Sequence, residues 1–330
     1  MIAQAHDSLV RLRPLLENVT PMALTPQPLL HPRHWFTWAV LGGLRLVARR
    51  SYQTQMAVGR ALGRLAFHTI RQRRHVAERN LALCFPELDK AARTTLLRRH
   101  FESLGMGIIE LPMSWWAPAT AIDGRLVLEG LEHLQAVQAR GQGAILLSGH
   151  FTSIDICGRL FAPHADVDIL FRPQDDPVIE HVLGGHRKRR FRHAIERHDI
   201  RGMVRALRQG RTIWYAPDQN YRGSNSALVP FFGHPAPTNT GTARLARMTG
   251  AAVLPFCMER RLETGQYLIR IDPPLADFPS DDPLADTARQ NRILEAQIRR
   301  CPEQYLWVHE RFKKRPAPLP DVYARREPSA

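Results

Sequence analysis

Short apolar runs alternate with helix-length segments after residue 117, and this alternation constrains the fold more than any other feature of the chain. The runs cover residues 144–147, 167–171, 212–216, 252–256 and 267–271. Segments with a helical pattern lie among them, at residues 152–162, 178–194, 200–209, 239–249 and 284–300. Strands that alternate with helices form a sheet layered with helices. We therefore predict an α/β fold with a mixed central sheet flanked by helices.

The region before residue 113 has a different pattern, which predicts helices. Its apolar residues recur three or four positions apart, as at Leu97, Phe101, Leu104 and Ile108. We accordingly divide the chain into four parts. These are a variable leader (1–31), an N-terminal helical region that associates with membranes (32–112), an α/β domain (113–325) and a short tail (326–330).

The expected membrane association depends on one apolar stretch near the N-terminus. Residues 35–44 are almost entirely apolar and include Trp35 and Trp38, and arginines follow at positions 45, 49 and 50. The stretch is shorter than the about 20 apolar residues that span a bilayer. Interfacial tryptophans with flanking arginines favour a helix that lies in the membrane surface. A buried core helix is the alternative interpretation.

A histidine and an aspartate follow the first apolar run of the predicted sheet. His150 comes directly after that run, and Asp155 stands five residues later. On one continuous helix, five residues advance about 500° and leave two side chains roughly 140° apart. The two side chains therefore meet only if His150 precedes the helix and Asp155 lies in its first turn. A carboxylate on one imidazole nitrogen leaves the other free to accept a proton from a hydroxyl group. In the alternative interpretation, Ser153 caps the helix and Asp155 complements the helix dipole.

The charge of the chain indicates an anionic partner. Forty-six Lys and Arg against 31 Asp and Glu give a formal net charge of +15. Such a charge suits anionic lipid, a phosphorylated substrate, an acidic protein or nucleic acid. Residues 187–211 contain ten of the basic residues, but aromatic residues are not interleaved with them as in nucleic-acid binding. No phosphate-binding glycine loop or zinc-ligand spacing is present, and the four cysteines are far apart, which favours reduced thiols.

Six segments follow one another along the chain: His150–Asp155 with Gly158 and Arg159, Phe171–Pro173, Trp214–Gln219, Val229–Gly233, Thr238–Ala251 and Pro302–His309 followed by Arg311–Lys313. Taken together and in this order, they resemble one family, the bacterial lipid A secondary acyltransferases of the lauroyl and myristoyl type, within the lysophospholipid acyltransferase superfamily. The resemblance covers roughly residues 32–325.

This resemblance implies transfer of a fatty acyl chain from acyl carrier protein to a hydroxyacyl group of a phosphorylated glycolipid, without a metal or organic cofactor. His150 matches the general base of the family, Asp155 its acidic partner, and Arg172 an arginine that steadies the oxyanion or binds the acceptor. Further substrate contacts are predicted for Arg159, Arg197 and Asp218. Because arginines bind phosphate in a forked geometry, the arginines suit such an acceptor. The implied location is the cytoplasmic face of the cell inner membrane, with an anionic membrane surface as a partner and no nucleic acid.

On the sequence alone, several of these residues can have a purely structural role, and two other functions stay open. Arg172 can pair with Asp175 or Asp176 on the surface, Asp218 can be a turn residue, and Trp307 and His309 fit a structural strand. The acceptor can be another glycolipid or a lysophospholipid. A function of another class is a basic protein that binds anionic membrane or nucleic acid without catalysis. The oligomeric state is open.

Overall fold

A computed structural model describes residues 29–221, 223 and 225–324, and its N-terminal part consists of helices. The helices are α1 (Trp35–Val47), α2 (Tyr52–Thr69), α3 (Arg71–Cys84) and α4 (Lys90–Trp116). The predicted helices of this region are thereby confirmed, although α4 continues past the predicted boundary at residue 112. The predicted leader lies almost entirely outside the described residues, and the predicted tail lies wholly outside them. Among the described helices, none combines the length and the apolar character that crossing a membrane requires.

Glycines bring the backbones of α2 and α4 into direct contact. A Cβ atom built on Gly63 would lie 2.1 Å from the carbonyl oxygen of Phe101, and one built on Gly105 would lie 2.1 Å from the carbonyl oxygen of Gly59. Neither neighbour is a side chain that can move aside, so only glycine fits at these two positions. The close approach makes the two long helices one packing unit.

The C-terminal part is an α/β domain built on a seven-stranded sheet. Its elements in chain order are α5 (Ala119–Ile122), β1 (Leu126–Glu129), α6 (Leu131–Ala139), β2 (Ala144–Leu147), α7 (Ile154–Phe161), β3 (Val167–Phe171), α8 (Pro177–Arg190), β4 (Ala194–Glu196), α9 (Ile200–Arg208), β5 (Thr212–Tyr215), β6 (Ser226–Phe231), β7 (His234–Asn239), α10 (Gly241–Thr249), β8 (Ala252–Arg261), β9 (Gln266–Ile271) and α11 (Pro283–Arg300). The strand order of the sheet is β1-β9-β8-β2-β5-β3-β4, while β6 and β7 form a separate hairpin. Strands β8 and β9 are antiparallel and the other neighbours in the sheet are parallel, so the predicted mixed sheet is confirmed.

The central strand β2 is buried on both faces, as its continuous apolar sequence requires. Leu146 belongs to the larger core, which includes residues of α4, α7 and α11. Ile145 and Leu147 point to the opposite face and join a smaller core formed with α9 and α10. Because successive side chains of a strand alternate between faces, the four apolar residues of β2 contribute to the hydrophobic cores on both sides of the sheet.

Three details of the expected secondary structure are wrong or incomplete. The helix expected over residues 178–194 ends at Arg190, and the short edge strand β4 follows it. The β6–β7 hairpin was not predicted, although its turn at Phe232 and Gly233 has positive φ at both residues. Trp307 and His309 do not lie on a strand, because only Tyr305 forms a bridge, to Phe151, before the chain turns.

A fully buried ion pair joins the helical region to the sheet. The guanidinium of Arg260 on β8 donates two hydrogen bonds of 2.5 Å to the carboxylate of Glu110 on α4, and Tyr267 donates a third of 2.6 Å. Arg260 also donates to the Ser103 hydroxyl at 2.9 Å, and Ser103 bonds the Thr152 hydroxyl at 2.7 Å. The network therefore ends in the turn that follows His150.

Replacing Glu110 with Ala is expected to destabilise the protein strongly. The change leaves the Arg260 guanidinium buried without its carboxylate, which costs about 3–5 kcal/mol of the free energy of unfolding. Glu102→Ala on the same helix is the matched control, because Glu102 pairs at 3.6 Å with Arg64, whose side chain is 64% exposed. Loss of such a surface pair changes stability by about 0–1 kcal/mol. Urea unfolding measures the free energy of unfolding of both variants. Equal decreases in that free energy would contradict a structural role for the buried pair.

Candidate active site

His150 lies on the turn between β2 and α7, as the sequence predicts. Strand β2 ends at Leu147 and α7 begins at Ile154. The backbone of this turn is fixed by the segment near residue 305, since Thr152 N–H donates to the Gln304 carbonyl at 2.8 Å and Leu306 N–H donates to the His150 carbonyl at 3.0 Å. The imidazole is thus carried on a loop that the rest of the fold holds in place.

A carboxylate reaches His150 from the neighbouring strand. Strands β2 and β5 are parallel, and Leu147 stands opposite Tyr215. His150 and Asp218 each follow three residues after those partners, so both leave the sheet at the same edge. In parallel sheets this carboxyl edge is where ligands bind.

Asp218 holds His150 at two points. Its Oδ1 lies 2.5 Å from His150 Nδ1, and its Oδ2 accepts a hydrogen bond of 2.9 Å from the backbone N–H of His150. The Asp218 side chain is only 2% exposed, whereas 33% of the His150 side chain is accessible. A carboxylate at Nδ1 selects the tautomer with the proton on that nitrogen. Within the described part of the chain, no hydrogen bond engages Nε2, which leaves that nitrogen for a substrate.

The pKa values of both groups reflect this contact. Burial alone would raise the pKa of Asp218, but the imidazole and the N–H of His150 lower it to about 2. Burial alone would lower the pKa of His150, but the Asp218 carboxylate outweighs this and raises it above the usual 6.5. Asp218 therefore stays ionised and stabilises the imidazolium that forms when His150 takes a proton.

The contact with Asp218 corrects the partner that the sequence suggested for His150. Asp155 lies in the first turn of α7 and lines the same cavity as His150, but the imidazole is hydrogen-bonded to Asp218 instead. The reason is geometric, because the register of β2 and β5 directs the His150 ring toward the neighbouring strand. Asp155 is exposed to the cavity, where desolvation and Glu110 raise its pKa to about 6 and Arg190 opposes that rise.

His150 opens into a cavity of about 1150 Å³. One part of its wall is apolar and includes Ile154, Ile169, Leu183, Phe191 and Trp214. Another part is basic and includes Arg172, Arg187, Arg190, Arg197 and Lys313, against the acidic residues Asp155 and Glu310. The cavity is large enough for an extended ligand and suits one with an apolar chain and an anionic head group.

Of the three arginines predicted to bind substrate, two line the cavity and one does not. Arg172 and Arg197 line the cavity, and both are exposed. Arg172 also pairs with Asp175 at 3.2 Å, as the surface interpretation expected. Arg159 lies elsewhere, because its Nη1 donates to the carbonyls of Met113, Ser114 and Ala117. The predicted substrate contact of Arg159 is corrected accordingly, since this side chain caps the C-terminal end of α4.

Two residues of the site had no functional role in the sequence analysis. His309 lines the cavity and accepts a hydrogen bond of 3.0 Å at Nε2 from the backbone N–H of Asn220, while burial lowers its pKa. His186 stacks on Trp115, with ring centroids 5.6 Å apart, and burial together with nearby arginines lowers its pKa to about 4. Both histidines are therefore neutral at physiological pH. His309 lies in one of the six segments that carry the family resemblance, whereas no sequence pattern marked His186.

The four cysteines are buried and form no disulfide bond. Burial raises the pKa of Cys157 to about 12 and that of Cys257 to about 11. A thiol with such a pKa is not a ready nucleophile. Among the described residues, no cluster of His, Cys, Asp and Glu has the composition of a metal site.

Residues 25–314 match the family described as bacterial lipid A biosynthesis acyltransferase. The chain is 38% identical over 296 residues to a lipid A biosynthesis lauroyltransferase of Escherichia coli (strain K12), covering 89% of this chain and 97% of the relative. It is 34% identical over 304 residues to a lipid A biosynthesis palmitoleoyltransferase of the same organism, covering 92% and 99%. A lipid A biosynthesis acyltransferase of Haemophilus influenzae is 33% identical over 291 residues, covering 87% and 93%.

Proposed function

Because the chain belongs to the family of bacterial lipid A biosynthesis acyltransferases, and is thus an acyltransferase, we propose that it transfers a fatty acyl chain from acyl carrier protein to a hydroxyacyl group of a lipid A precursor. The observation that carries the proposed mechanism is the His150–Asp218 pair, which leaves one imidazole nitrogen open to a large cavity. That arrangement suits the activation of a hydroxyl group.

The proposed reaction is a direct transfer with His150 as general base and then general acid. Nε2 of His150 takes the proton of the acceptor hydroxyl while the hydroxyl oxygen attacks the thioester carbonyl carbon. The tetrahedral intermediate collapses, the carbon–sulfur bond breaks, and the imidazolium returns the proton to the departing thiolate. Asp218 keeps Nδ1 protonated and stabilises the imidazolium, as the aspartate does in serine-protease triads. No cofactor takes part.

The walls of the cavity suggest how the substrates are held. The apolar wall formed by Ile154, Phe191 and Trp214 suits a hydrocarbon chain. Arg172 and Arg197 suit acceptor phosphates or the oxyanion, because guanidinium groups bind such oxygens in a forked geometry. Asp155 stays a proposed member of the catalytic site, since its carboxylate faces the same cavity as His150.

We also propose that α1 holds the enzyme at the cytoplasmic face of the inner membrane. The helix exposes 64% of Trp35, 81% of Phe36 and 45% of Val40. It packs against α8, because the Thr37 hydroxyl donates a hydrogen bond of 3.1 Å to Asp176, the residue that caps α8. Leu183 and His186 of α8 line the cavity. Large apolar side chains near basic residues are typical of a helix in the membrane interface.

Replacing Trp35 and Phe36 together with Ser should lower the affinity for anionic lipid vesicles by at least about tenfold, because each side chain loses apolar burial in the lipid. The matched control is the pair Leu228→Ser and Leu284→Ser, which removes exposed apolar residues from other parts of the surface. Co-sedimentation with vesicles measures the binding. An equal loss of vesicle binding in the two double variants would exclude α1 as the membrane anchor.

The activity itself is tested with purified enzyme, a thioester of acyl carrier protein and a tetra-acylated lipid A precursor, with mass spectrometry of the lipid product. A lysophospholipid offered in parallel separates the two acceptor classes. We expect one acyl group to be added to the lipid A precursor and only traces of product from the lysophospholipid. The reverse preference would overturn the acceptor, and binding without any product would favour the non-catalytic alternative.

A further inference from the structure

Helix α9 presents a second, smaller groove on the surface of the α/β domain. The helix buries Met203, Ala206 and Leu207 against the sheet. Its other side forms, with the end of α10, a groove of about 420 Å³ lined by Ile200, Arg201, Val204, Arg205, Arg208, Gln209 and Met248. Ile200 and Met248 are each about half exposed, at 49% and 48%. The groove thus combines a small apolar floor with an arginine-rich rim.

The charge of this groove is uncompensated. Arg201 and Arg205 are exposed, and neither forms an ion pair or a side-chain hydrogen bond within the described part of the chain. Arg208 donates a hydrogen bond of 3.2 Å to the backbone carbonyl of Met248. Among the residues that the structure describes, no acidic side chain lines the groove. The nearby Asp199 caps the N-terminus of α9, where it accepts a hydrogen bond from Gly202 N–H.

The groove adjoins the cavity of the candidate active site. Ile200 lines both, with Arg197 and His198 on the cavity side and Arg201 on the groove side. A protein seated in the groove therefore lies next to the opening of the cavity. This position suits a donor that delivers its acyl chain on a flexible arm.

We propose that the groove formed by α9 and Met248 is the docking surface for the acidic carrier protein that brings the acyl thioester, an inference that rests on the proposed function. An amphipathic acidic helix fits such a groove, because its carboxylates reach the arginines while its apolar side chains contact Ile200, Val204 and Met248. A membrane is a poorer match, since the large exposed apolar residues Trp35 and Phe36 lie on α1. Nucleic acid is a poorer match because none of the described residues that line the groove is aromatic, and base stacking requires such residues.

The test is charge reversal in the double variant Arg201→Glu with Arg205→Glu, assayed with two donors. One donor is the acyl thioester of acyl carrier protein, and the other is the same acyl group on soluble pantetheine. We expect the KM for the carrier-bound donor to rise by at least about tenfold, because the arginines steer and hold the acidic partner. With the pantetheine thioester we expect wild-type kinetics. The matched control is Arg99→Glu with Arg140→Glu, which changes the net charge equally at two exposed arginines on other elements and should leave the KM for both donors unchanged.

The outcomes separate the docking surface from the proposed function. An unchanged KM for the carrier-bound donor overturns the docking surface and leaves the acyltransferase proposal intact. An equal loss of activity with both donors also overturns the docking surface, since it indicates damage to the cavity. A variant that loses only binding to anionic vesicles would assign the groove to the membrane instead. A wild-type enzyme that uses only the pantetheine thioester would overturn both the carrier as donor and its docking site.

Discussion

Replacing His150 with Gln should lower kcat by about 10²–10⁴-fold, because a positioned general base contributes that much to a proton transfer. Gln retains an N–H group that can donate to Asp218, and the backbone N–H of residue 150 keeps its own bond to that carboxylate. The buried carboxylate therefore stays satisfied, and we expect the free energy of unfolding to change by no more than about 1–2 kcal/mol. Steady-state acyl transfer measures the first effect and urea unfolding the second. Turnover near that of the wild type in the folded variant would exclude His150 as the base.

The second large effect is expected at Asp218. Asp218→Asn keeps the size of the side chain but removes its charge, and its amide N–H₂ favours a proton on Nε2 instead of Nδ1. The imidazole is then in the wrong tautomer to act as a base, and the corresponding change in serine-protease triads lowers kcat about 10⁴-fold.

Asp155→Asn is the matched comparison for Asp218→Asn, because Asp155 is a cavity carboxylate that makes no hydrogen bond to His150 within the described residues. We expect a smaller loss of kcat from this variant. If Asp155→Asn loses more activity than Asp218→Asn, the partner suggested by the five-residue spacing is the functional one. Circular dichroism confirms that both variants are folded.

The sequence predicted those parts of the fold that depend on local patterns. Strands β2 and β3 have the expected bounds, because a short apolar run followed by polar residues leaves little freedom in where a buried strand ends. The turn at His150 was also predicted, since the spacing to Asp155 required His150 to precede the helix. Strand β4 was missed because three residues at a sheet edge carry almost no pattern.

The partner of His150 depends on strand order, which a local pattern does not contain. Asp218 is 68 residues away along the chain and becomes a neighbour only because β5 pairs with β2 in a particular register. A signal was nevertheless present, since His150 and Asp218 each lie two or three residues after the end of an apolar run. The same limit applies to Arg159, whose three carbonyl partners lie at the end of α4, and to the Glu110–Arg260 pair, which joins residues 150 positions apart.

We propose that Asp218, and not Asp155, sets the protonation state of His150, and an NMR titration of the His150 ring distinguishes the two carboxylates. Among the 15 histidines, its signal is identified by its absence from the spectrum of His150→Gln. In the wild type we expect a pKa above 6.5, because the Asp218 carboxylate outweighs the effect of burial. In Asp218→Asn only burial remains, so the pKa should fall below 6.5, and in Asp155→Asn it should stay at the wild-type value. A fall in Asp155→Asn with no change in Asp218→Asn would contradict the claim.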